Sequence, residues 1–229
     1  MANKGKSVID DSPEYEEIGG EEQSRGLIPF LEENQRMVIM VVGILLVLLL
    51  GFLGYRYLQS SKNSEAQEEM ITAVRFFEAD SLDRALNGDG SFLGFLDIAE
   101  EYSGTDAANM AEYYTGIIYA RQGDADMGLE YLDGVEGNGT LMETAIYQAK
   151  AFCYEQLEEW ENAAKNFERA ATSPSESPLT PGLLLKAGQN YEDAGDIEKA
   201  LEMYEKIKED YPRTPEALTI DKYIGRISE

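Results

Sequence analysis

Side chains that commonly carry out catalysis or bind metals are scarce in this sequence. It contains no histidine, the commonest general base and metal ligand, and its single cysteine, Cys153, has no partner for an intramolecular disulfide or a thiolate cluster. Neither a Gly-x-Ser-x-Gly motif nor a glycine-rich phosphate loop with lysine is present. We therefore expect Cys153 to be a small core residue. We also expect the protein not to be an enzyme, with no catalytic residue, no metal and no cofactor.

Asn87, Asp89 and Ser91 have the spacing that comes nearest to a cation site. Oxygen-bearing side chains at alternate positions are typical of a calcium loop, but such a loop needs a bidentate glutamate at its twelfth position, where this chain has Ile98. Because asparagine, aspartate and glycine also favour tight turns, we interpret residues 87–90 as a turn.

The sequence is strongly acidic, with 44 Asp and Glu residues against 19 Lys and Arg residues. A surface of this charge repels the phosphates of nucleic acids and of anionic lipids, so we expect no nucleic acid among the partners. Acid pairs such as Glu68-Glu69 and Glu158-Glu159 fall on faces of predicted helices that point to solvent. We interpret them as solvated residues rather than as catalytic pairs.

One apolar stretch anchors the chain. Residues 37–55 contain no charged residue and lie between Arg36 and Arg56. A helix of this length spans roughly 28 Å, close to the roughly 30 Å of a bilayer's hydrocarbon core. A core helix of a soluble protein is the alternative, but it would carry a polar face, which this stretch lacks. The sequence thus predicts a transmembrane helix over residues 37–57, in contact with lipid, and its length and position disfavour a cleavable signal peptide.

The segments beside this span differ in character. Residues 1–26 are polar and acidic, which predicts a disordered tail, whereas residues 27–36 place apolar side chains ahead of charged ones and predict an interfacial helix. Residues 58–65 form a polar linker. Basic residues are about equally frequent on the two sides, so the positive-inside rule does not fix the orientation. We favour a translocated C-terminal domain and leave the reverse topology open.

Residues 181–214 contain a helix-turn-helix pattern that fits the 34-residue tetratricopeptide repeat. Small residues stand where the two helices would cross closely, and Gly195-Asp196 stands at the turn. Each such helix pair has one apolar face that only a neighbouring pair can cover, so the pairs must stack into a solenoid. The matching positions are Ala187, Gly188, Tyr191, Ala200, Tyr204, Ile207 and Pro212.

Three further copies precede this repeat, over residues 66–105, 109–142 and 144–177. The first is altered by an enlarged connection between its helices. In the second, Gly128 replaces the usual alanine, so we expect a weaker second helix. The sequence therefore predicts an all-α fold: a tetratricopeptide-repeat solenoid of about three to four repeats over residues 66–229, behind a single N-terminal transmembrane helix.

A C-terminal capping helix over residues 215–229 completes this prediction. We expect Thr214 to be its N-cap and Pro215 its first helical residue. Thr180 and Pro181 have the same spacing ahead of the last repeat. A polar outer face on the final helix covers the last apolar edge of a solenoid.

The first helix of each pair in such a solenoid lines its concave face. None of the groove positions in this register is lysine or arginine, which disfavours a clamp for a terminal carboxylate. An apolar trough with acidic edges favours extended apolar or basic segments of another polypeptide. Some of these side chains, such as Met110, Ile117 and Phe152, have the alternative of simply packing between helices. The candidate peptide-binding residues are Met110, Tyr113, Ile117, Phe152, Glu155, Leu185 and Gln189.

Three stretches give the chain a resemblance to a known family. These are FLEENQR ahead of the span, EAQEEM after it, and ALNGDGSFLGFLDIAEEYSGT in the first repeat. The chain resembles the single-span tetratricopeptide-repeat ancillary subunits of the bacterial SecYEG translocon, in their Bacteroidota-like form, over roughly residues 28–228. The repeat motif itself is specific only for the fold.

The resemblance implies an inner-membrane protein with a cytoplasmic N-terminus and a periplasmic solenoid. It further implies association with the SecYEG translocon, with a membrane-anchored periplasmic chaperone of the peptidyl-prolyl isomerase type, and with exported client polypeptides. It supplies no catalytic residue. The alternative is a structural scaffold subunit of another cell-envelope secretion or assembly complex, in which the convex face or the insertion at residues 87–90 matters more than the groove.

Overall fold

A computed structural model describes residues 34–137, 139, 141–173 and 177–228. The described residues form ten α-helices and no strand, which confirms the predicted all-α class. The predicted tail and most of the predicted interfacial helix lie outside the described residues.

Two compact units divide the chain, residues 1–56 and residues 57–229. Helix α1, Gln35–Glu78, begins in the first unit. Its most apolar window has a mean hydropathy of 3.0, and none of that window is buried inside the protein. By length and composition this part of α1 is a candidate membrane span or, given its position near the N-terminus, a signal sequence.

In the second unit each helix from α2 onwards contacts the next, and α1 joins them through side chains buried in a shared core cluster. The C-terminal part of α1 and α3 form the first pair, with the short α2 between them. Three regular pairs follow, and α10 covers the end. The bounds are α2 Leu82–Asn87, α3 Phe95–Glu101, α4 Asp106–Arg121, α5 Ala125–Gly134, α6 Leu141–Gln156, α7 Trp160–Thr172, α8 Thr180–Asp193, α9 Ile197–Asp210 and α10 Ile220–Ile227.

The segment predicted as a linker, residues 58–65, is helical and belongs to α1. Two of its side chains reach the start of α4: Gln59 donates a hydrogen bond to the carbonyl of Gly104 in the preceding loop, and Asn63 accepts one from the backbone N–H of Ala107 in the first turn at 2.9 Å. Further along α1, Ala66, Met70 and Ala73 are buried in one cluster with residues of α3 and α4. The repeat domain therefore begins within the predicted linker.

Two turns between helices, one of them the predicted turn at Gly195-Asp196, have the geometry that their residues favour. Gly123 and Gly195 adopt φ of +86° and +80°, a region that side chains disfavour. The aspartate after each glycine then caps the next helix, since Asp124 and Asp196 each accept a backbone N–H at 3.2 Å. The turn and the cap together fix the angle between the two helices that they join.

The corresponding turn between α6 and α7 lacks a glycine. Glu158 occupies the same position with φ of +59°, and Glu159 makes no capping hydrogen bond with its side chain. A residue with a Cβ in this conformation is strained by roughly 1–2 kcal/mol. This turn is therefore a weak point of the otherwise regular solenoid.

Two predicted helix starts are wrong. Helix α10 begins at Ile220 rather than at Pro215, because hydrogen bonds such as Thr219 N–H to Glu216 C=O reach back three residues and keep residues 215–219 in turns. Thr180 is the first residue of α8 rather than its N-cap. It is buried, and its hydroxyl donates to the Ala171 carbonyl at 3.2 Å, which satisfies an end group of α7.

The close approach of neighbouring helices explains why glycine occupies positions 128 and 188. A Cβ on Gly188 would lie 2.4 Å from the ring of Tyr204, and a Cβ on Gly128 would lie 3.0 Å from the Gly116 carbonyl oxygen and 3.1 Å from Cys153 Sγ. Gly128 thus allows α4 and α5 to approach each other. The expectation that Gly128 weakens α5 stays a prediction. The close packing that Gly128 allows acts in the opposite direction.

Helix α10 covers the last apolar edge, as predicted. Ile220 is fully buried, and Tyr223, Ile224 and Ile227 pack against the core cluster of α7, α8 and α9. Arg226 donates to Glu192 at 2.7 Å, and the same carboxylate oxygen accepts from the Tyr204 hydroxyl at 2.8 Å. The cap is therefore held by both apolar and charged contacts.

Replacing Glu158 with glycine is expected to stabilise the protein by about 0.5–1 kcal/mol, because relief of the strain exceeds the entropy cost of the added backbone freedom. Chemical unfolding of the full chain in detergent micelles, followed by circular dichroism, measures this. Gly195→Ala is the matched control and must destabilise, since it introduces the same strain. A loss of stability in Glu158→Gly would contradict the strain argument.

Two glycine-to-alanine variants separate helix propensity from close packing. Gly225 lies in α10 with no atom within 4 Å of a built Cβ, so Gly225→Ala should stabilise by about 0.5–1 kcal/mol through propensity alone. Gly128→Ala should instead destabilise by about 1 kcal/mol or more, because the contacts at the crossing outweigh propensity. Equal stabilisation by both variants in the same unfolding measurement would show that α5 can move away from α4.

Candidate functional site

The site is a groove between the first helices of two adjacent pairs, α4 and α6, which contact each other directly. It encloses a cavity of about 330 Å³. Three predicted site residues, Tyr113, Ile117 and Phe152, lie in its wall. We call this feature the α4–α6 groove. Its lining residues are Tyr113, Ile117, Ala120, Arg121, Ala145, Gln148, Ala149 and Phe152.

Helical spacing produces this groove. Tyr113, Ile117 and Arg121 follow one another at intervals of four on α4, so their side chains share one face. Their neighbours turn into the solenoid, where Ile118 of α4 and Cys153 of α6 are fully buried. The two helices therefore divide their apolar residues between a packed core and an open trough.

Exposure distinguishes the lining side chains from core residues. The Phe152 side chain is 45% exposed, although burial of an aromatic side chain would stabilise the protein. Tyr113 and Ile117 are partly buried. Burial, with a smaller effect of Tyr114, raises the pKa of Tyr113, so its hydroxyl stays protonated. The groove thus offers apolar surface and one neutral hydroxyl to a ligand.

The wall of the groove rests on an aromatic cluster. The rings of Tyr113 and Tyr114 are 5.8 Å apart, and Tyr114 stacks on Phe95 at 4.8 Å. Phe77 of α1 contacts Tyr114 edge-on at 5.0 Å. Residues from three helices therefore support one side of the groove and restrict its movement.

The other four predicted residues do not line this cavity. Met110 packs against the core cluster of α1, α3 and α4, and Leu185 packs against that of α7, α8 and α9. For Met110 this agrees with the alternative of packing between helices. Gln189 is partly buried on α8. A binding role for these residues stays a prediction.

Glu155 belongs to a polar cluster on the neighbouring part of the same face. Its Oε1 accepts a hydrogen bond from Asn190 Nδ2 at 2.8 Å and lies 4.0 Å from Lys186 Nζ. Asn190 also donates to the Lys186 carbonyl at 2.9 Å. The carboxylate of Glu155 is therefore already engaged by α8.

Arg121 is a lining residue that the sequence reasoning missed. It is the last residue of α4, and its guanidinium carbon lies 4.6 Å from the ring centroid of Phe77. The groove therefore contains a basic residue, which the repeat register alone did not predict. The spacing of four from Ile117 was the available signal, but it required knowing that α4 extends to residue 121.

A second cavity, of about 270 Å³, was not predicted. Its polar wall includes Asp106, Asn109, Glu112 and Glu136, and burial raises the pKa of Glu112. The side-chain amide of Asn109 closes one end by bonding both the N–H and the carbonyl of Glu136, at 2.8 and 3.0 Å. Within the described ranges, no group of three or more His, Cys, Asp or Glu side chains is arranged to hold a metal.

The loop of residues 87–91, which has the residue spacing of a calcium site, is held together by contacts of its own side chains and of Arg84. Asp89 accepts a hydrogen bond from the Ser91 hydroxyl, forms an ion pair with Arg84 and accepts from the Ser91 N–H, which together hold the pKa of Asp89 below its usual value. Arg84 in turn lies over the ring of Phe76 at 4.0 Å. This arrangement agrees with the interpretation of residues 87–90 as a turn.

Cys153 is a core residue, as predicted. It is fully buried, and burial raises the pKa of its thiol to about 11. Because the thiolate is the reactive form, a thiol with this pKa is inert near neutral pH.

Comparison with protein families matches residues 183–214 to the tetratricopeptide repeat. The match covers α9 and most of α8, and with the ten helices of the described residues it confirms the predicted repeat-containing fold. Such repeats form protein–protein interaction modules, and an all-helical fold of this kind is typical of non-enzymatic scaffolds. Searches among curated proteins and among solved structures give no match to the chain.

Proposed function

We propose that this tetratricopeptide-repeat protein is a membrane-anchored protein-binding module whose α4–α6 groove takes segments of other polypeptides. The observation that carries the proposal is the open apolar cavity with Phe152 exposed in its wall. Exposed apolar surface of this kind marks interaction sites in soluble domains. Met110, Glu155, Leu185 and Gln189 would extend the contact along the same face.

The resemblance of the FLEENQR and ALNGDGSFLGFLDIAEEYSGT stretches supports a specific setting for this module. In it, the apolar part of α1 spans the bacterial inner membrane, with the N-terminus cytoplasmic and the repeats periplasmic. The partners are the SecYEG translocon, a membrane-anchored peptidyl-prolyl isomerase-like chaperone and exported client polypeptides. Anchoring beside a channel raises the effective concentration of the groove at the point where clients emerge, so weak contacts are sufficient.

A structural scaffold subunit of another envelope complex is the second candidate. The observation that favours it is the ordered insertion of the first pair, where Phe76 stacks on Phe92 at 4.8 Å and Arg84 lies over Phe76. An insertion with its own aromatic contacts presents a distinct surface beside the groove. In a scaffold this surface, rather than the groove, would contact the partner.

Photo-crosslinking in native membranes distinguishes the two candidates. A photoreactive amino acid in place of Phe152 is expected to capture translocon subunits or exported polypeptides. The same amino acid in place of the exposed Lys165 of α7 is the control, and we expect it not to capture them. Phe152→Asp combined with Tyr113→Asp should reduce partner capture at least tenfold, because the charges oppose apolar contact. Unchanged co-purification of partners by this double variant would favour the scaffold.

The orientation is tested by protease treatment of intact spheroplasts. We expect the repeat domain to be digested from outside, and the N-terminal tail to be protected until the membrane is opened. A tag ahead of residue 27 and another after Glu229 report the two sides in one experiment. Protection of the C-terminal tag in sealed spheroplasts would contradict the periplasmic setting and, with it, the proposed client class.

A further inference from the structure

Arg121 stands out among the charges near the groove. Over residues 85–149 it is the only basic residue, against twelve acidic ones. The single positive charge of this stretch therefore lies in the wall of the apolar α4–α6 groove. A basic residue whose only role is solubility has no reason to lie beside apolar side chains.

The surroundings of Arg121 leave its hydrogen-bond donors available. Its guanidinium carbon lies 4.6 Å from the centroid of the Phe77 ring, and this cation–π attraction requires no hydrogen bond from its N–H donors. Asp80, its ion-pair partner among the described residues, is 4.0 Å away and 85% exposed. An exposed pair at this distance contributes little and exchanges readily with a ligand.

Apolar surface lies within reach of the same charge. Ile117 is one turn before Arg121 on α4, and Phe152 lines the facing wall on α6. Alternate side chains of an extended peptide are about 7 Å apart and point the same way. A bound segment can therefore direct one large apolar side chain into the cavity and a second, polar side chain towards Arg121.

The charge of the whole domain restricts the rest of the ligand. A strongly acidic segment would be repelled by the surrounding carboxylates, whose field extends about 8 Å at physiological ionic strength. One carboxylate in a neutral or basic context avoids this repulsion and still gains the charge-assisted bond to arginine. A chain terminus fits less well, since its capture uses a cradle of backbone N–H groups, and the lining of this cavity consists of residues within two helices.

We propose that the α4–α6 groove selects polypeptide segments in which one Asp or Glu side chain stands two residues from a large apolar side chain, without further acids nearby, and that Arg121 binds this carboxylate. The proposal rests on the proposed function, because it specifies the ligand of the same groove.

Matched peptides and the full chain in detergent micelles test the proposal. The fluorescein-labelled, C-terminally amidated peptide Gly-Ser-Phe-Ser-Glu-Ser-Lys-Gly is compared with its Glu→Gln counterpart by fluorescence anisotropy. We expect the glutamate peptide to bind about tenfold more tightly. Arg121→Gln should remove this difference and leave the affinity for the glutamine peptide unchanged. Arg121→Glu should favour a third peptide with lysine in place of glutamate.

Lys165→Gln is the control, because it removes one positive charge from α7, outside the groove. It should keep the tenfold preference, whereas a loss of preference in this variant would mean that net charge alone is measured and would overturn the proposal. Tighter binding of the glutamine peptide with a free C-terminal carboxylate than of the amidated glutamate peptide would also overturn it.

The same peptides separate this proposal from the proposed function. If Phe152→Asp weakens both peptides while Arg121→Gln weakens neither, the groove binds polypeptides but Arg121 does not select them. If no peptide binds, the selectivity is wrong, and the crosslinking from Phe152 in membranes decides independently whether the groove is used. Unchanged circular dichroism of Arg121→Gln excludes unfolding as the cause of a lost preference.

Discussion

The fold depends on one constraint: each helix pair has an apolar face that only the next pair can cover. The core clusters follow this rule, since residues of α6, α7, α8 and α9 share one cluster and residues of α1, α3 and α4 share another. The two helices of a pair approach closely where a side chain is absent, as at Gly188 under the Tyr204 ring and at Gly128 beside Gly116. Beside the last of these pairs, α10 takes over the covering role.

The same stacking creates the groove. Two consecutive first helices, α4 and α6, contact each other, and the second helix α5 packs against both. Their remaining faces then form a trough, and its chemistry depends on a few side chains only. Tyr113 and Phe152 make it apolar, whereas Arg121 brings a positive charge into an acidic domain. Fold and binding surface are thus consequences of one arrangement.

Local signals explain what could be predicted from the sequence. The turn at Gly195-Asp196 follows from the spacing of residues within a repeat. The same spacing predicts the groove positions Tyr113, Ile117 and Phe152, because the repeats fold alike. Two other features were missed. Local hydrogen bonds such as Thr219 N–H to Glu216 C=O keep residues 215–219 in turns, so α10 starts at Ile220 despite the Thr-Pro signal. Asn109 bonds a backbone segment 27 residues away, which spacing within a repeat does not reveal. Arg121 joins the groove only because α4 extends far enough.

Asn63 and Gln59 fix the rotational phase of residues 58–65, the stretch of α1 that forms the junction with the repeats. Gln59 bonds the loop before α4 and Asn63 bonds the first turn of α4, while Ala66, Met70 and Ala73 of the same helix are buried beside α3 and α4. Each residue of a helix turns the following ones by about 100°. One residue inserted between Asn63 and Ala66 would therefore turn either the polar contacts or the alanine face away from the repeats. The length of this junction is therefore restricted to whole turns, even though its sequence has the polar composition of a free linker.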